Sequence, residues 1–363
     1  MSSVFIKGLT KKFEQGMSAL SNFNLEVADG EMVLLAGPTG SGKSTILRLI
    51  SGYETPTMGD IIINGMLVND IPVSSRNIVT VLKNQSLYPD MTVYENLAFS
   101  LKLCYTAVAE IPKRIEEVAR KMEVEHLLDR KAEELDQLDE MRVILLRAVV
   151  RNPRVLLVDK PFALRSRTLR EAYRDYLVEI NQRLGTTIIV ATKDRKIVQT
   201  MPYKTVIIKD GYTQQTGLPA QLYADPVNLF VADFMTFPQM ESMEATLKKQ
   251  GDEYILVTEK VRIPLDKARV EKSRAVDYVG KTVLAGFRPE SVRLLEKEAA
   301  EGMDAIASNA DDTPYGDIIT LDCGDISVRI MNKDNLEEGQ DVKIAWDNRH
   351  ILLFDPDSEK RIL

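Results

Sequence analysis

The sequence predicts an α/β domain followed by a mainly β domain. At 363 residues the chain is long enough for two domains of ordinary size. Its first two thirds alternate short apolar segments with amphipathic ones, which is typical of a mostly parallel sheet covered by helices. After about residue 237 the pattern changes to short alternating segments separated by Gly, Pro and Asp. We therefore expect one domain at 1–236 and a second at 237–363.

Five apolar segments of the first domain have the length and composition of strands. Several contain almost no polar residue, which predicts burial on both faces of the sheet. The segments are 32–36, 78–82, 155–158, 187–191 and 206–208. In the second domain the alternating pattern predicts strands at 253–258, 281–285 and 342–345.

Two other segments are predicted from their residue patterns. Between residues 111 and 130, Ile115, Val118 and Met122 recur at helical spacing opposite a charged face, which predicts a surface helix. The segment 296–312 is acidic and rich in alanine, and it contains a glycine, so we expect an exposed loop there.

The composition argues against several classes of protein. With 47 Lys and Arg against 54 Asp and Glu, the net charge of −7 gives no overall basic surface, so nucleic acid is not an expected partner. The two cysteines, Cys104 and Cys323, match no metal-binding spacing, and we expect packing roles for them in a reducing cytosol. No apolar run approaches the ~20 residues of a membrane-spanning helix, so we expect any association with a membrane to be peripheral.

A glycine-rich segment after the predicted strand 32–36 has the spacing of a phosphate-binding loop. Its residues, which precede an apolar helical segment, are Gly37, Pro38, Thr39, Gly40, Ser41, Gly42, Lys43, Ser44 and Thr45. Glycines let backbone N–H groups surround phosphate oxygens, and the start of the helix contributes its dipole. Lys43 would neutralise the phosphates and Ser44 would ligate Mg²⁺. The alternative is a glycine-rich turn without a ligand.

A carboxylate follows the buried strand predicted at 155–158. Asp159 is placed to reach Mg²⁺ through the water shell of the metal, so Ser44 and Asp159 are the predicted metal residues. The alternative role of Asp159 is to cap the loop that follows it.

Three more segments, 68–72, 87–97 and 286–290, add to the phosphate loop a resemblance to a known family. Over nearly its whole length the chain resembles the ATP-binding subunits of ATP-binding-cassette importers, closest to the type that serves bacterial sugar uptake. The resemblance implies ATP and Mg²⁺ as ligands, an inserted helical subdomain at about 86–150, and a C-terminal regulatory domain with oligonucleotide-binding-like folds. Phe13 falls where the family places an aromatic ring on adenine; its alternative role is in the core at a strand end.

The resemblance also implies partners and a location. Family members form face-to-face dimers that hold two ATP molecules and dock under a transmembrane permease, which works with an external solute-binding protein. The segment from Gln85 to Leu97 lies where the family receives the permease, and its residues are retained. The implied location is the cytoplasmic face of the cell membrane.

Five elements that the family uses for hydrolysis are substituted. Lysines stand at the positions of the Q-loop glutamine (Lys83), the glutamate after the Walker B aspartate (Lys160) and the switch histidine (Lys193). The signature motif aligns with 135–139 and the D-loop with 163–166, and neither keeps the family's residues. A lysine cannot polarise water as a carboxylate does, so we expect ATP binding with little or no hydrolysis and a weakened role for Mg²⁺.

The leading interpretation is a catalytically degenerate ATP-binding subunit of an importer for a sugar or related small polar solute, paired with a second, intact ATPase subunit. Two alternatives remain open. One is a regulatory or structural nucleotide-binding protein that takes no part in transport, and the other is an active transporter ATPase with an unusual lysine-rich site. Each substitution taken alone is also compatible with drift, and Asp136 with an N-cap for the helix after it.

Overall fold

The chain divides into two compact units. The structure, a computed structural model, describes residues 2–13, 18–82, 85–164, 166–259, 261–296, 302–313, 315–324 and 326–363. The units are Met1–Pro219 and Ala220–Leu363. Residues 220–236 therefore group with the second unit, whereas the sequence places them in the first domain. One reason is that the Leu229 N–H donates to the Glu359 carbonyl near the end of the chain.

Two sheets form the framework of the first unit. Its described strands are β1 (Ser2–Lys12), β2 (Ser18–Ala28), β3 (Met32–Ala36), β4 (Met58–Ile63), β5 (Met66–Leu67), β6 (Ile78–Val81), β7 (Val155–Asp159), β8 (Thr187–Thr192), β9 (Lys204–Lys209) and β10 (Tyr212–Gly217). One sheet has the order β10-β9-β3-β8-β7-β6, with all neighbours parallel except β10 and β9. The other has the order β2-β1-β4-β5 and is antiparallel. The predicted mostly parallel sheet is confirmed.

The central strands are buried on both faces, which explains their continuous apolar runs. In β3, Met32 and Leu34 pack with the helices on one face. Val33 and Leu35, which alternate with them, pack against the antiparallel sheet on the other face. The helices of this unit are α1 (Lys43–Ser51), α2 (Val93–Leu103), α3 (Ile111–Lys121), α4 (Gln137–Val149), α5 (Arg167–Leu184) and α6 (Arg195–Thr200).

The helix predicted at 111–130 is shorter in the structure. Helix α3 ends at Lys121, and Glu123 then adopts a left-handed φ of 58° that a continuing helix does not allow. A single 3₁₀ turn follows at Glu125–Leu127. Ile115 and Met122 are buried as their spacing predicts.

The second unit is mainly β, as predicted. Its described strands are β11 (Glu241–Gln250), β12 (Glu253–Val257), β13 (Arg262–Leu265), β14 (Thr282–Phe287), β15 (Val292–Leu295), β16 (Met303–Thr313), β17 (Gly316–Cys323), β18 (Ile326–Met331), β19 (Asp341–Trp346) and β20 (Leu352–Phe354). They form two antiparallel sheets of order β13-β12-β11-β14-β20 and β15-β19-β16-β17-β18 that contribute to one hydrophobic core. The short helices are α7 (Pro219–Ala224), which begins at the division, α8 (Leu229–Phe234) and α9 (Lys267–Glu271).

The prediction of a loop at 296–312 is wrong for residues 303–312, because these residues belong to β16. Ala305 and Ala307 are buried at alternate positions of this strand, whereas their neighbours Asp304 and Ile306 are exposed. Small alanines at core positions give a weak alternation of hydrophobicity, which explains the error.

No helix within the described ranges is long and apolar enough to span a membrane.

One buried amide organises the segment 85–97 at the start of α2. The side chain of Asn96 is fully buried and accepts a hydrogen bond from the Tyr88 N–H. Its amide group donates to the carbonyl oxygens of Tyr88, Met91 and Thr92. Thr92 caps α2 and forms a reciprocal capping box with Glu95. The backbone of this segment is therefore fixed from within the unit.

We expect Asn96→Ala to lower the free energy of unfolding by roughly 1–3 kcal/mol, because the Tyr88 N–H would lose its acceptor and the side-chain hydrogen bonds to three carbonyl oxygens would be lost. Urea denaturation followed by far-ultraviolet circular dichroism measures the change. The control is the exposed Asp90, since Asp90→Ala should change stability by less than about 0.5 kcal/mol. Equal stability of both variants would contradict the anchoring role of Asn96.

Candidate functional site

The glycine-rich loop lies between β3 and α1, at the carboxyl end of the parallel sheet. Gly37 and Gly42 have φ values of 152° and 100°, a region that L side chains rarely adopt. A Cβ atom at Gly37 would lie 2.1 Å from the carbonyl oxygen of Ile208, and one at Gly42 would lie 2.6 Å from that of Ala19. These close approaches of neighbouring backbone require glycine at both positions. Pro38, Thr39 and Gly40 are exposed at the crest of the loop, and Ser44 and Thr45 are half-buried in the first turn of α1.

The ammonium group of Lys43 is held inside this loop. The residue is only 5% exposed, and its Nζ donates to the Pro38 carbonyl at 2.6 Å and to the Ser41 hydroxyl at 2.8 Å. Burial lowers the pKa of Lys43 to about 8, and the positive charge of Lys160 acts in the same direction. Asp159 opposes the shift and Lys193 adds to it. The described site therefore holds a buried cation whose hydrogen-bond partners are uncharged.

The two predicted metal residues lie together. The Ser44 hydroxyl donates to Asp159 Oδ1 at 3.0 Å, so the end of β7 meets the first turn of α1. The other carboxylate oxygen, Oδ2, lies 4.0 Å from the Nζ of Lys160. Within the described ranges no group of three or more His, Cys, Asp or Glu residues could hold a metal ion. The residue set is therefore poor in carboxylates for a divalent cation and has an ammonium group beside its single acid.

The lysines that follow β7 and β8 lie near the loop. Lys160 has a left-handed φ of 54°, and its N–H donates to the Ala191 carbonyl at 2.9 Å. Its side chain is 48% exposed. Lys193 is exposed directly after β8. Both charges lower the pKa of Lys43, so they act on the same site. Lys83, the third predicted lysine, lies outside the described residues.

The acids of the segment 135–139 are engaged at the start of their own helix. Asp136 is the N-cap of α4 and accepts a hydrogen bond from the Asp139 N–H at 2.8 Å. Asp139 pairs with Arg142 at 3.3 Å and lies 4.0 Å from Arg130. The N-cap role that the sequence left open for Asp136 is therefore present.

Phe13 lies directly after β1 with 42% of its surface exposed. The Nζ of Lys11 lies 5.3 Å from the centre of its ring. This exposure does not match the alternative role as a core residue at a strand end. Stacking of the ring on adenine stays a prediction.

Two further features of this unit have no signal in the sequence. Arg170 of α5 forms an ion pair with Asp194 at 3.4 Å, and Asp194 caps α6 directly after Lys193. A cleft of about 520 Å³ lies beside Asp159 and Lys160, with Gln137 and Glu140 of α4 in its lining. Both features bring together residues that are far apart in the chain, which a single sequence does not reveal.

Comparison with known proteins decides the family. Residues 20–163 match the family described as ABC transporter, and residues 238–292 match the MalK OB fold domain. The oligosaccharides import ATP-binding protein MsmX of Bacillus subtilis is 35% identical over 369 residues, which cover 100% of both chains. The chain belongs to the ATP-binding subunits of ABC transporters.

A second relative and a solved structure agree with this family assignment. The sn-glycerol-3-phosphate import ATP-binding protein UgpC of Psychromonas ingrahamii is 33% identical over 372 residues, covering 100% of this chain and 96% of the relative. The structure of cbiO1 from Clostridium perfringens, part of the ABC transporter complex cbiONQ, matches with a TM-score of 0.55 and 27% identity. It covers 62% of this chain and 91% of its own, so the first unit has the fold of an ABC transporter ATP-binding domain.

We expect ATP binding to this ABC subunit to take up protons as the pH rises through 8. In the free protein the pKa of Lys43 is about 8, and bound phosphate raises it because the charged form gains an anionic partner. Affinity should accordingly fall above that pH. Calorimetric titrations in two buffers of different ionisation enthalpy measure the uptake.

The control is Lys43→Arg, because a guanidinium stays charged throughout this range and has no proton to take up. If the parent and Lys43→Arg release or take up the same number of protons, Lys43 is not the titrating group.

Proposed function

We propose that this chain is an ATP-binding subunit of an ABC importer that binds ATP and hydrolyses little or none of it. The observation that carries the proposal is an intact phosphate loop around Lys43 with lysines, Lys160 and Lys193, at the ends of the adjacent strands. The loop supplies backbone N–H groups and a cation for phosphate binding. The described residues directly after β7 and β8 are these two lysines, so neither position supplies a carboxylate or imidazole for the attacking water.

The loss of hydrolysis follows from the chemistry of the ammonium group. A protonated lysine donates hydrogen bonds and has no lone pair with which to accept a proton from water. Positioning or activating a nucleophile contributes roughly 10²–10⁴ in rate, and residues that act as a unit lose their effect together. Lys160 also lies 4.0 Å from Asp159, so its charge is directed at the remaining acid of the site.

The transported solute is inferred from the relatives. MsmX is named for the import of oligosaccharides and UgpC for that of sn-glycerol-3-phosphate. We infer a sugar or related small polar solute for the complex of this chain. Such a complex would include a transmembrane permease, an external solute-binding protein and this subunit at the cytoplasmic face of the membrane.

A second, catalytically intact ATP-binding subunit completes the proposed complex. Transport that depends on ATP hydrolysis needs a turnover that Lys160 and Lys193 do not support. The acids Asp136 and Asp139 occupy the signature segment, where family members offer neutral donors to a partner's nucleotide, so an identical and an intact partner would both meet these acids there.

We expect the purified chain to bind ATP while its steady-state ATPase rate stays near background. Lys43→Ala should abolish binding, and Lys160→Glu alone should not restore hydrolysis because Lys83 and Lys193 remain. Equilibrium titration with ATP and a phosphate-release assay provide the two measurements. A family-typical rate that Lys43→Ala abolishes would favour an active ATPase with a lysine-rich site and would overturn the proposal.

We expect the segment 85–97 to bind the permease. Tyr88 is 46% exposed and packs edge-on against Phe99 with ring centres 5.1 Å apart, so it presents a fixed aromatic surface. Tyr88→Asp, alone or with Met91→Asp, should release the chain from membranes that contain the permease, as measured by sedimentation of vesicles.

The matched control is Tyr105→Asp, because Tyr105 is 97% exposed and lies beyond the segment. Full membrane association of the Tyr88 variant would place the docking surface elsewhere, whereas a parent chain that does not bind these membranes would favour a nucleotide-binding protein without a part in transport.

A further inference from the structure

The carboxylate of Asp159 has a different partner at each oxygen. Oδ1 accepts from the Ser44 hydroxyl at 3.0 Å, and Oδ2 faces the Lys160 ammonium at 4.0 Å. The Asp159 side chain is 17% exposed, so little water competes with these two partners for its carboxylate oxygens. Ser44 and Asp159, the two residues that would hold Mg²⁺, are therefore in contact, and the ammonium group of Lys160 lies beside them.

The residues around this pair do not fit a divalent cation. Mg²⁺ requires near-octahedral oxygen ligands at 2.0–2.1 Å and is usually bound through one or two carboxylates and the phosphates of a substrate. Among the described residues, Asp159 is the acid that contacts Ser44 and Glu140 lines the cleft beside it, while Lys43, Lys160 and Lys193 all bring positive charge to the site. The ammonium group beside Asp159 repels a divalent ion and donates hydrogen bonds to the same kind of oxygen that the ion would ligate.

The backbone keeps Lys160 at this position. Its N–H donates to the Ala191 carbonyl at 2.9 Å, which ties the residue after β7 to the neighbouring strand β8. Its left-handed φ of 54° is fixed by the same turn, since the Ala163 N–H donates back to the Lys160 carbonyl at 3.3 Å. The side chain therefore leaves from a defined point next to Asp159, although its half-exposed ammonium is free to adjust to an anion.

We propose that this site, in the ATP-binding role proposed above, takes the nucleoside triphosphate as its metal-free anion, with the ammonium groups of Lys160 and Lys193 neutralising phosphate charge that Mg²⁺ would otherwise neutralise. Lys43 contributes from inside the loop, and the backbone turn after β7 sets the point from which the Lys160 side chain leaves. The ligand class is thus a polyphosphate anion, for which two mobile ammonium groups replace one hydrated ion.

The test is a calorimetric titration of the full chain with ATP, once in excess Mg²⁺ and once in EDTA, at fixed ionic strength. Three proteins are compared: the parent, the double variant Lys160→Gln/Lys193→Gln, and Lys113→Gln. Lys113 is exposed on α3, away from the loop. The substitution Lys113→Gln therefore removes one positive charge outside the site. Circular dichroism checks that each variant is folded.

We expect the parent and Lys113→Gln to bind ATP with similar affinity in both buffers. The double variant should lose about tenfold or more in affinity in EDTA, the change expected when a charged hydrogen bond is lost, and should recover much of it in Mg²⁺. A parent that loses affinity on chelation as steeply as the double variant overturns the inference and leaves the proposed function standing. A parent that binds in neither buffer overturns both.

Discussion

The hydrogen bond between the Ser44 hydroxyl and the Asp159 carboxylate joins the two elements on which the phosphate site depends. One is the start of α1, which carries the loop residues, and the other is the end of β7 in the buried sheet. Because β3, β7 and β8 run parallel, their carboxyl ends meet at one edge of the sheet. The side chains that follow these strands therefore lie at the same edge of the sheet.

This arrangement separates the chemistry of the site from the stability of the fold. The strands are fixed by apolar residues on both faces, whereas Lys160 and Lys193 lie just beyond the strand ends and are exposed. A change of residue type at these two positions alters the charge around a phosphate group without altering the core. The segment that holds Tyr88 depends on a different set of contacts, those of Asn96. Loss of hydrolysis and retention of a docking surface are thus physically compatible in one chain.

Much of the framework could be predicted from the sequence because its patterns are strong. The strand at Met32–Ala36 has the predicted bounds, since five consecutive apolar residues are flanked by the charged Glu31 and by Gly37. The start of β16 was missed because alanine at Ala305 and Ala307 gives little contrast with its neighbours. The early end of α3 depends on the backbone of Glu123, a residue with no strong preference for the left-handed conformation.

The residues of the candidate site could be predicted from the sequence, but several contacts between them could not. The spacing of the loop identifies Lys43 and Ser44, because few other functions need glycines and a lysine in that order. The approach of Lys160 to one oxygen of Asp159 depends on the turn after β7. The ion pair of Arg170 with Asp194 joins a helix and a loop that are 24 residues apart. The first contact depends on the conformation of a turn and the second on the packing of distant segments, and the sequence pattern specifies neither.

The buried amide of Asn96, which fixes the backbone of residues 88–92, affects how a partner protein would associate with this segment. A loop that has to order itself on association spends conformational entropy at that moment, and the affinity falls accordingly. Here Asn96 and the capping box at Thr92 have already fixed the backbone during folding. Tyr88 is thereby held as part of a rigid surface. Docking on such a surface resembles the association of two preformed bodies, for which the rate is set by encounter and orientation and not by rearrangement of the chain.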